Sequence, residues 1–319
     1  MAAPVHPEPV LTLPPDDAVI IFRTVRSGVF GRVVRLGSVA DKILKAHGLP
    51  EVGAQALGEA LALAALLGSA LPGKGNIAVQ TRTNGLVQVL YADCEAPGRL
   101  RAYARFDGGT LAALKQSGQT PGAAQVLGDG HLAVTIDPGD MAERYQGVIA
   151  LDHVPLAQAA ATYFESREAL PTFVRLAVAQ HYAGAKGGLP AAMSWRGGGI
   201  MIQNPQPEAD EGGDDPWSRV RMLTATVEDH ELLDPALSAE RLLLRLFHEE
   251  GVVIDGVVPL TTYCKCSRER VALVLASFGA DDLEDMRDET GKIAAKCEFC
   301  AAAYAFDLTE FQPSPDAVR

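Results

Sequence analysis

Positive charge is scarce in this chain. Its 319 residues carry 28 Lys and Arg against 40 Asp and Glu, a formal net charge of −12. A surface that grips a nucleic-acid duplex needs a net basic domain or stripe, so no nucleic-acid partner is expected. Long apolar runs are missing too. The longest strongly apolar stretch without charge, residues 60–73, has 14 residues. A bilayer-crossing helix needs about 20, so no membrane partner is expected. The first ten residues hold no basic cluster ahead of an apolar run, which argues against a secretory signal and for a cytoplasmic protein. Neither a GxxxxGK[ST] phosphate loop nor a GxSxG nucleophile turn occurs, and the seven histidines are scattered. Nucleotide hydrolysis and Ser/His/Asp catalysis therefore have no local signature, and no catalytic residue is expected. Cysteine is sparse at five, an odd number and too few for a disulfide framework.

What remains is ordinary for a folded protein. Hydrophobic residues make up 48% and charged residues 21%, enough for a sizeable core, and the length suits about two domains. Residues 1–17, with five prolines in the first fifteen, read as a loose tail. Residues 18–204 read as one α+β domain of β-sheets with packed helices. Two apolar runs, AVIIFRTV and VFGRVVRL, flank Arg26-Ser27-Gly28 as a hairpin would, and Asn84-Gly85 marks a second hairpin. LRAYARFD, HLAVTID, YQGVIAL and IMIQN read as further strands. Ser38 followed by Asp41 predicts a capping-box-like start to a helix reaching His47. Residues 50–71 predict a buried helix, and Pro155 opens another that runs to Phe164.

Residues 205–216, PQPEADEGGDDP, break the pattern with five acids, three prolines and no base. They predict a solvated linker. Two short helices are expected beyond it, the stronger over 238–250, where Leu242/Leu246 and Leu243/Phe247 repeat at i, i+4 and Gly251 supplies a stop. This linker region extends to residue 258, a small module spans 259–311, and 312–319 form a second tail.

The module holds Cys264-Lys265-Cys266, thirty residues, then Cys297-Glu298-Phe299-Cys300. Two close cysteine pairs on a chain long enough to fold back predict a tetrahedral four-thiolate site, with Cys264, Cys266, Cys297 and Cys300 as ligands of one Zn²⁺. Lys265, Arg268, Arg270 and Lys296 lie near the ligands in sequence, where they would offset the site's −2 charge. A fixed structural zinc and a redox-responsive zinc both fit this spacing. A disulfide within a CxC pair closes a tight ring, and strained disulfides are labile, so a switch is chemically open.

The run CKCSRERV, with KCEFC and the following Tyr304 and Phe306, resembles the zinc module of the heat-shock protein 33 family of redox-regulated bacterial holdase chaperones. The resemblance continues upstream through GRVVRLG, LGEALALAALLGS, YARFD, YQGVIAL, VEDHELLDP and SAERLLLRLFHEEGV, nearly the whole chain in order. It implies an ATP-independent chaperone that is inactive when reduced and zinc-bound. It also implies that oxidation forms the disulfides Cys264–Cys266 and Cys297–Cys300, that zinc leaves, and that the module and adjoining linker helices unfold. Unfolding client proteins then bind, and the active form is a homodimer. Two departures stand out: Ala301 occupies a place where such knuckles often carry Gly, and the acidic insertion and N-terminal tail are this chain's own.

Several features have plainer readings. Cys94 reads as a small buried hydrophobe. Gly197, Gly198 and Gly199 read as turn glycines, and Asp281, Asp282, Glu284 and Asp285 as a solvated helix face. The Leu-striped helix at 238–250 reads as core packing, with client binding as the alternative. Two other functions compete: a thiol–disulfide oxidoreductase using Cys297 and Cys300, which needs that pair to open a helix after a strand, and a zinc-ribbon nucleic-acid binder.

Overall fold

The computed structural model describes residues 16–71, 73–109, 126–139, 143–184, 191–205 and 215–311. The acidic run at 206–214, the tail to residue 15 and the tail from 312 lie outside the described residues.

Alternating apolar positions build two sheets, and the buried helix between them joins their inner faces. The first sheet contains β1 (Ala18–Thr24), β2 (Phe30–Leu36), β8 (Thr172–Ala183), β9 (Ala192–Gln203) and β10 (Val252–Pro259), in the order β10-β1-β2-β9-β8. The second contains β3 (Asn76–Thr83), β4 (Val87–Glu95), β5 (Arg99–Phe106), β6 (Asp129–Asp137), β7 (Tyr145–Asp152) and β11 (Thr261–Thr262), in the order β11-β5-β4-β3-β6-β7. Both sheets are antiparallel except where β11 pairs parallel with β5. Helix α1 spans Ser38–His47 and α2 spans Glu51–Gly68. Leu57, Leu61, Leu63 and Leu66 of α2 contribute side chains to a core shared with Val19 and Val34 of the first sheet and Leu90 and Val134 of the second. Helix α2 is long and apolar enough to cross a membrane by length and composition, and it is the central core helix of the fold. Helix α3 (Leu156–Arg167) follows Pro155 as expected and packs into the same core.

The start of α1 departs from the expected capping box. Gly37 is the cap residue, and the backbone amides of Gly37, Ser38 and Val39 donate to the carboxylate of Asp17 at 2.9, 3.0 and 3.1 Å. A carboxylate twenty residues upstream satisfies the orphan amides and complements the helix dipole. Asp41 instead accepts from Lys45 at 2.8 Å and from the Trp195 amide at 2.8 Å.

Gly197, Gly198 and Gly199 are also not at a turn. They lie inside β9, all buried. A Cβ on Gly198 would stand 2.6 Å from the Leu232 carbonyl oxygen, so the absent side chain lets the neighbouring helix approach the strand.

That neighbour belongs to three helices, where two were expected: α4 (Pro216–Ala225), α5 (Asp229–Leu233) and α6 (Ala239–Phe247). They cover the outer face of the first sheet. Val220, Leu232, Leu242, Leu243, Leu246 and Phe247 pack on Ile20, Phe22, Val33, Ile200 and Ile202, and the Phe22 and Phe247 rings stack at 5.7 Å. Ser238, expected inside the helix, is the cap residue of α6, and the leucine stripe is buried. Polar ties hold this cover in place. Arg35 of β2 donates to the carbonyls of Asp234 and Leu237, and Arg196 of β9 donates to the Leu233 carbonyl at 2.6 Å. Arg219 pairs at 2.6 Å with the buried carboxylate of Glu250.

β10 then zips onto the edge of β1, β11 crosses to the edge of β5, and the first cysteine of the module follows two residues later. The module contains α7 (Arg268–Leu275), α8 (Ala280–Asp285) and the hairpin β12 (Lys292–Lys296) with β13 (Ala303–Asp307). Its own core is small: Leu275, Leu283, Ile293 and Phe306. Asp281, Asp282, Glu284 and Asp285 are exposed on α8, the solvated face expected of them.

Candidate metal centre

All four clustered cysteines meet. One sulfur from each of Cys264, Cys266, Cys297 and Cys300 lies within 4.8 Å of the others. Sγ–Sγ separations are 3.2 Å for Cys264–Cys266, 3.6 Å for Cys264–Cys297 and 3.3 Å for Cys266–Cys300. A disulfide is about 2.05 Å long, and all four are free thiols. Four sulfurs at about 2.3 Å around a tetrahedral ion would sit about 3.8 Å apart, so the cluster could hold a metal ion with little movement. The all-sulfur donor set suits a soft or borderline cation.

Local structure explains the gathering. Cys264 and Cys266 lie on the extended chain between β11 and α7, whose N-cap Ser267 accepts from the Arg270 amide at 3.2 Å. Cys297 directly follows β12 and Cys300 precedes β13, so the second pair spans the hairpin turn. The Cys297 amide donates to the Ala302 carbonyl and the Ala301 amide to the Cys297 carbonyl, both at 2.9 Å. This turn forces Ala301 to φ 57°, a left-handed conformation costing an L-residue about 1–2 kcal/mol. Ala301→Gly relieves that strain and loses about 0.5–1 kcal/mol of it to a floppier unfolded chain. A net gain of about 0.5–1 kcal/mol in module stability is expected, read as slower metal transfer to a chelator. Equal transfer rates would show that the turn carries no strain. The pair does not open a helix after a strand, the geometry the oxidoreductase reading requires.

The electrostatics differ from the sequence expectation. Lys265 pairs with Glu95 at 2.7 Å, Arg268 with Glu310 at 2.9 Å, and Arg270 donates to the Lys265 carbonyl at 2.6 Å. These cations serve the surroundings of the sulfurs. The Cys266 amide donates to Cys264 Sγ at 3.5 Å, and the side-chain hydroxyl that reaches sulfur is that of Tyr304, 3.1 Å from Cys266 Sγ. That hydrogen bond draws the Cys266 thiol down to about 7 and pushes Tyr304 up to about 12. Burial raises Cys264 to about 12 and raises Cys300.

The site is docked on the outer face of the second sheet. Phe299, at the tip of the hairpin, packs edge-on against Tyr103 at 4.9 Å and Tyr91 at 5.7 Å, under the Arg101 guanidinium at 4.2 Å. His47 meets the Glu298 carbonyl at 2.8 Å. The Tyr263 hydroxyl donates at 2.7 Å to Asp93, which is fully buried and forks with Arg101 at 2.7–3.1 Å. None of these docking residues was singled out from sequence for a role. The signal was the alternation in RLRAYARF, which puts Arg99, Arg101, Tyr103 and Arg105 on one face of a strand.

Cys94 takes no part in the cluster. It is 1% exposed, packed so that a Cβ on Gly68 of α2 would stand 2.4 Å from its sulfur, and burial pushes its thiol up to about 12. The thiolate is the nucleophile, so metal-stripped native protein should alkylate four cysteines and denatured protein five, counted by mass. A fifth adduct on native protein would place Cys94 within reach of oxidants.

The family model described as Hsp33 protein matches residues 17–307. The chain is 41% identical over 293 residues to the 33 kDa chaperonin of Caulobacter vibrioides, covering 92% of this chain and 95% of that one. It is 35% identical over 290 residues to the 33 kDa chaperonin of Pseudomonas syringae, covering 89% and 88%. The fold matches the crystal structure of the 33 kDa chaperonin, a heat shock protein 33 homologue, of Thermotoga maritima. That match has a TM-score of 0.71 at 21% identity, over 92% of this chain and 96% of the other. With its four cysteines gathered as the resemblance implied, and nearly its whole length matched, the chain belongs to the Hsp33 family of chaperones.

Proposed function

We propose that this chaperone is a redox-switched, ATP-independent holdase whose off state is the zinc-bound, docked module. The observation that carries the reading is the juxtaposition of four free thiols in a module with a four-residue core. Cys264, Cys266, Cys297 and Cys300 are the ligands, and bound zinc supplies the cross-link that so small a core cannot. An oxidant such as hydrogen peroxide converts Cys264 with Cys266, and Cys297 with Cys300, to disulfides. Each disulfide forms by loss of two electrons from a thiolate pair, and one peroxide per disulfide takes those electrons with two protons from solvent and becomes two waters. The four anionic donors become neutral sulfurs, the ion leaves, and residues 259–311 lose their fold.

The consequence passes through the chain path. Residues 259–263 are continuous with β10 and β11, so unfolding the module frees the end of β10. Helices α4 to α6 then lose a neighbour, and the Ile20, Phe22, Ile200 and Ile202 face beneath them opens to unfolding clients. The oxidised form is a homodimer in this reading.

The test couples metal to function on one sample. Reduced protein should carry about one zinc per four-thiolate site. Peroxide with mild heat should release it and only then suppress aggregation of a model client, with both effects reversed by a thiol reductant. Zinc that stays bound, or leaves without any gain of protection, makes the metal merely structural.

A further inference from the structure

The module is docked by an aromatic side chain, and the seat it occupies is built from the core sheet. Tyr91 of β4 and Tyr103 of β5 are direct cross-strand partners, their rings stacked at 5.6 Å. Together with Arg101 they form a slot that receives the Phe299 ring edge-on at 4.9 and 5.7 Å, with the guanidinium 4.2 Å from its centroid. Ile43 and Ala46 of α1 line the adjoining cavity of about 180 Å³. The core sheet supplies the slot's own walls, and the module adds the Tyr263 hydroxyl on Asp93 at 2.7 Å and its ring 5.2 Å from Arg101. Arg101 is held by a fork to the buried Asp93, and the Tyr91 hydroxyl lies 3.2 Å from the same carboxylate. Arg101, Asp93 and Tyr91 all belong to β4 and β5, strands of the second sheet that keep their fold in the switch reading.

Resting on the switch reading above, we propose that the Tyr91–Tyr103–Arg101 slot is a client subsite for aromatic side chains, with Phe299 as its occupant in the reduced protein. The chemistry of the guest is on display in the structure: an unfolded polypeptide offers the same ring that Phe299 offers. Edge-to-face contacts and a cation over the ring favour an aromatic guest over an aliphatic one of similar size. Two consequences follow. Opening of the module exposes a site that selects phenylalanine-bearing segments, and refolding of the module evicts them by returning Phe299 to its seat. This site lies on the second sheet, distinct from the apolar face that α4 to α6 cover on the first.

The experiment uses the full-length protein and a short flexible peptide of glycine, serine and asparagine carrying one 4-fluorophenylalanine, titrated by ¹⁹F line width. A peptide with leucine in that place competes against it. Oxidised or chelator-stripped protein should prefer the aromatic peptide about tenfold, and reduced zinc-loaded protein should bind neither. Tyr103→Ser and Tyr103→Leu should each lose the preference. The leucine variant keeps the sheet's apolar bulk, so a folding defect and a lost slot are told apart. If zinc leaves and aggregation is suppressed, yet both peptides bind equally or the Tyr103 variants keep the preference, the slot is overturned and the switch stands. If neither oxidation nor chelation frees the module, both readings fall.

Discussion

Replacing Cys266 with Ser is expected to leave residues 264–311 unfolded while the two large sheets stay intact. Four-thiolate zinc contributes about 10–16 kcal/mol of apparent binding free energy in small modules. The protein part here has only Leu275, Leu283, Ile293 and Phe306 buried, each worth about 1.5–3 kcal/mol. A segment this short does not hold a fold on such a core without a staple. Cys266 is also the sulfur that the Tyr304 hydroxyl reaches, and in the proposed site the substitution removes one of four thiolate donors while leaving that hydroxyl an acceptor. Hydrogen exchange reads the result: amides of β12 and β13 should exchange at unprotected rates, and those of β3, β4 and β9 should remain slow. Chelation of the unaltered protein should reproduce the pattern, which separates loss of metal from a defect of the variant. Protected β12 amides in both samples would mean the module folds without its ion. The variant should also prevent aggregation with no oxidant present.

The same site shows how far residues speak for themselves. Spacing alone placed four sulfurs together, because two cysteine pairs thirty residues apart have few other uses in a reducing compartment. Asn84-Gly85 located its hairpin, and the i, i+4 leucines located α6, because both signals are local. The misreadings share a cause, which is that tertiary partners decided the outcome. Ser38 is a fair cap by sequence, but Asp17 was nearer the amides once β1 had folded. Three successive glycines suggest a turn until the Leu232 carbonyl is seen where a side chain would be. Tyr304 and Phe299 carry no local mark of their roles. One is a hydroxyl on β13, 38 residues along the chain from Cys266, and the other faces a strand nearly two hundred residues upstream. The cations beside the cysteines were read for their charge, yet their reach took them to Glu95, Glu310 and a carbonyl.

The docking network predicts the second large effect. Asp93 is a fully buried carboxylate on the outer face of β4, and Arg101 supplies its fork. Arg101→Met leaves that charge without its cation, and breaking a buried pair from one side costs about 3–5 kcal/mol. The cheapest relief is water, and what keeps water out is the chain carrying Tyr263, whose ring also lies 5.2 Å from the guanidinium. The strain should therefore appear first as undocking of the module, with zinc still bound. Exchange at the β11–β5 edge should quicken, Phe299 should leave its seat, and peroxide should act faster on the exposed thiols. Asp93→Asn in the same chain removes the stranded charge, so the double variant should recover most of the loss. The coupling between the two positions should be about 2–3 kcal/mol, within the range for residues in contact. Additive effects would show that Arg101 and Asp93 act separately, and that the module is held by Phe299 and its sulfurs alone.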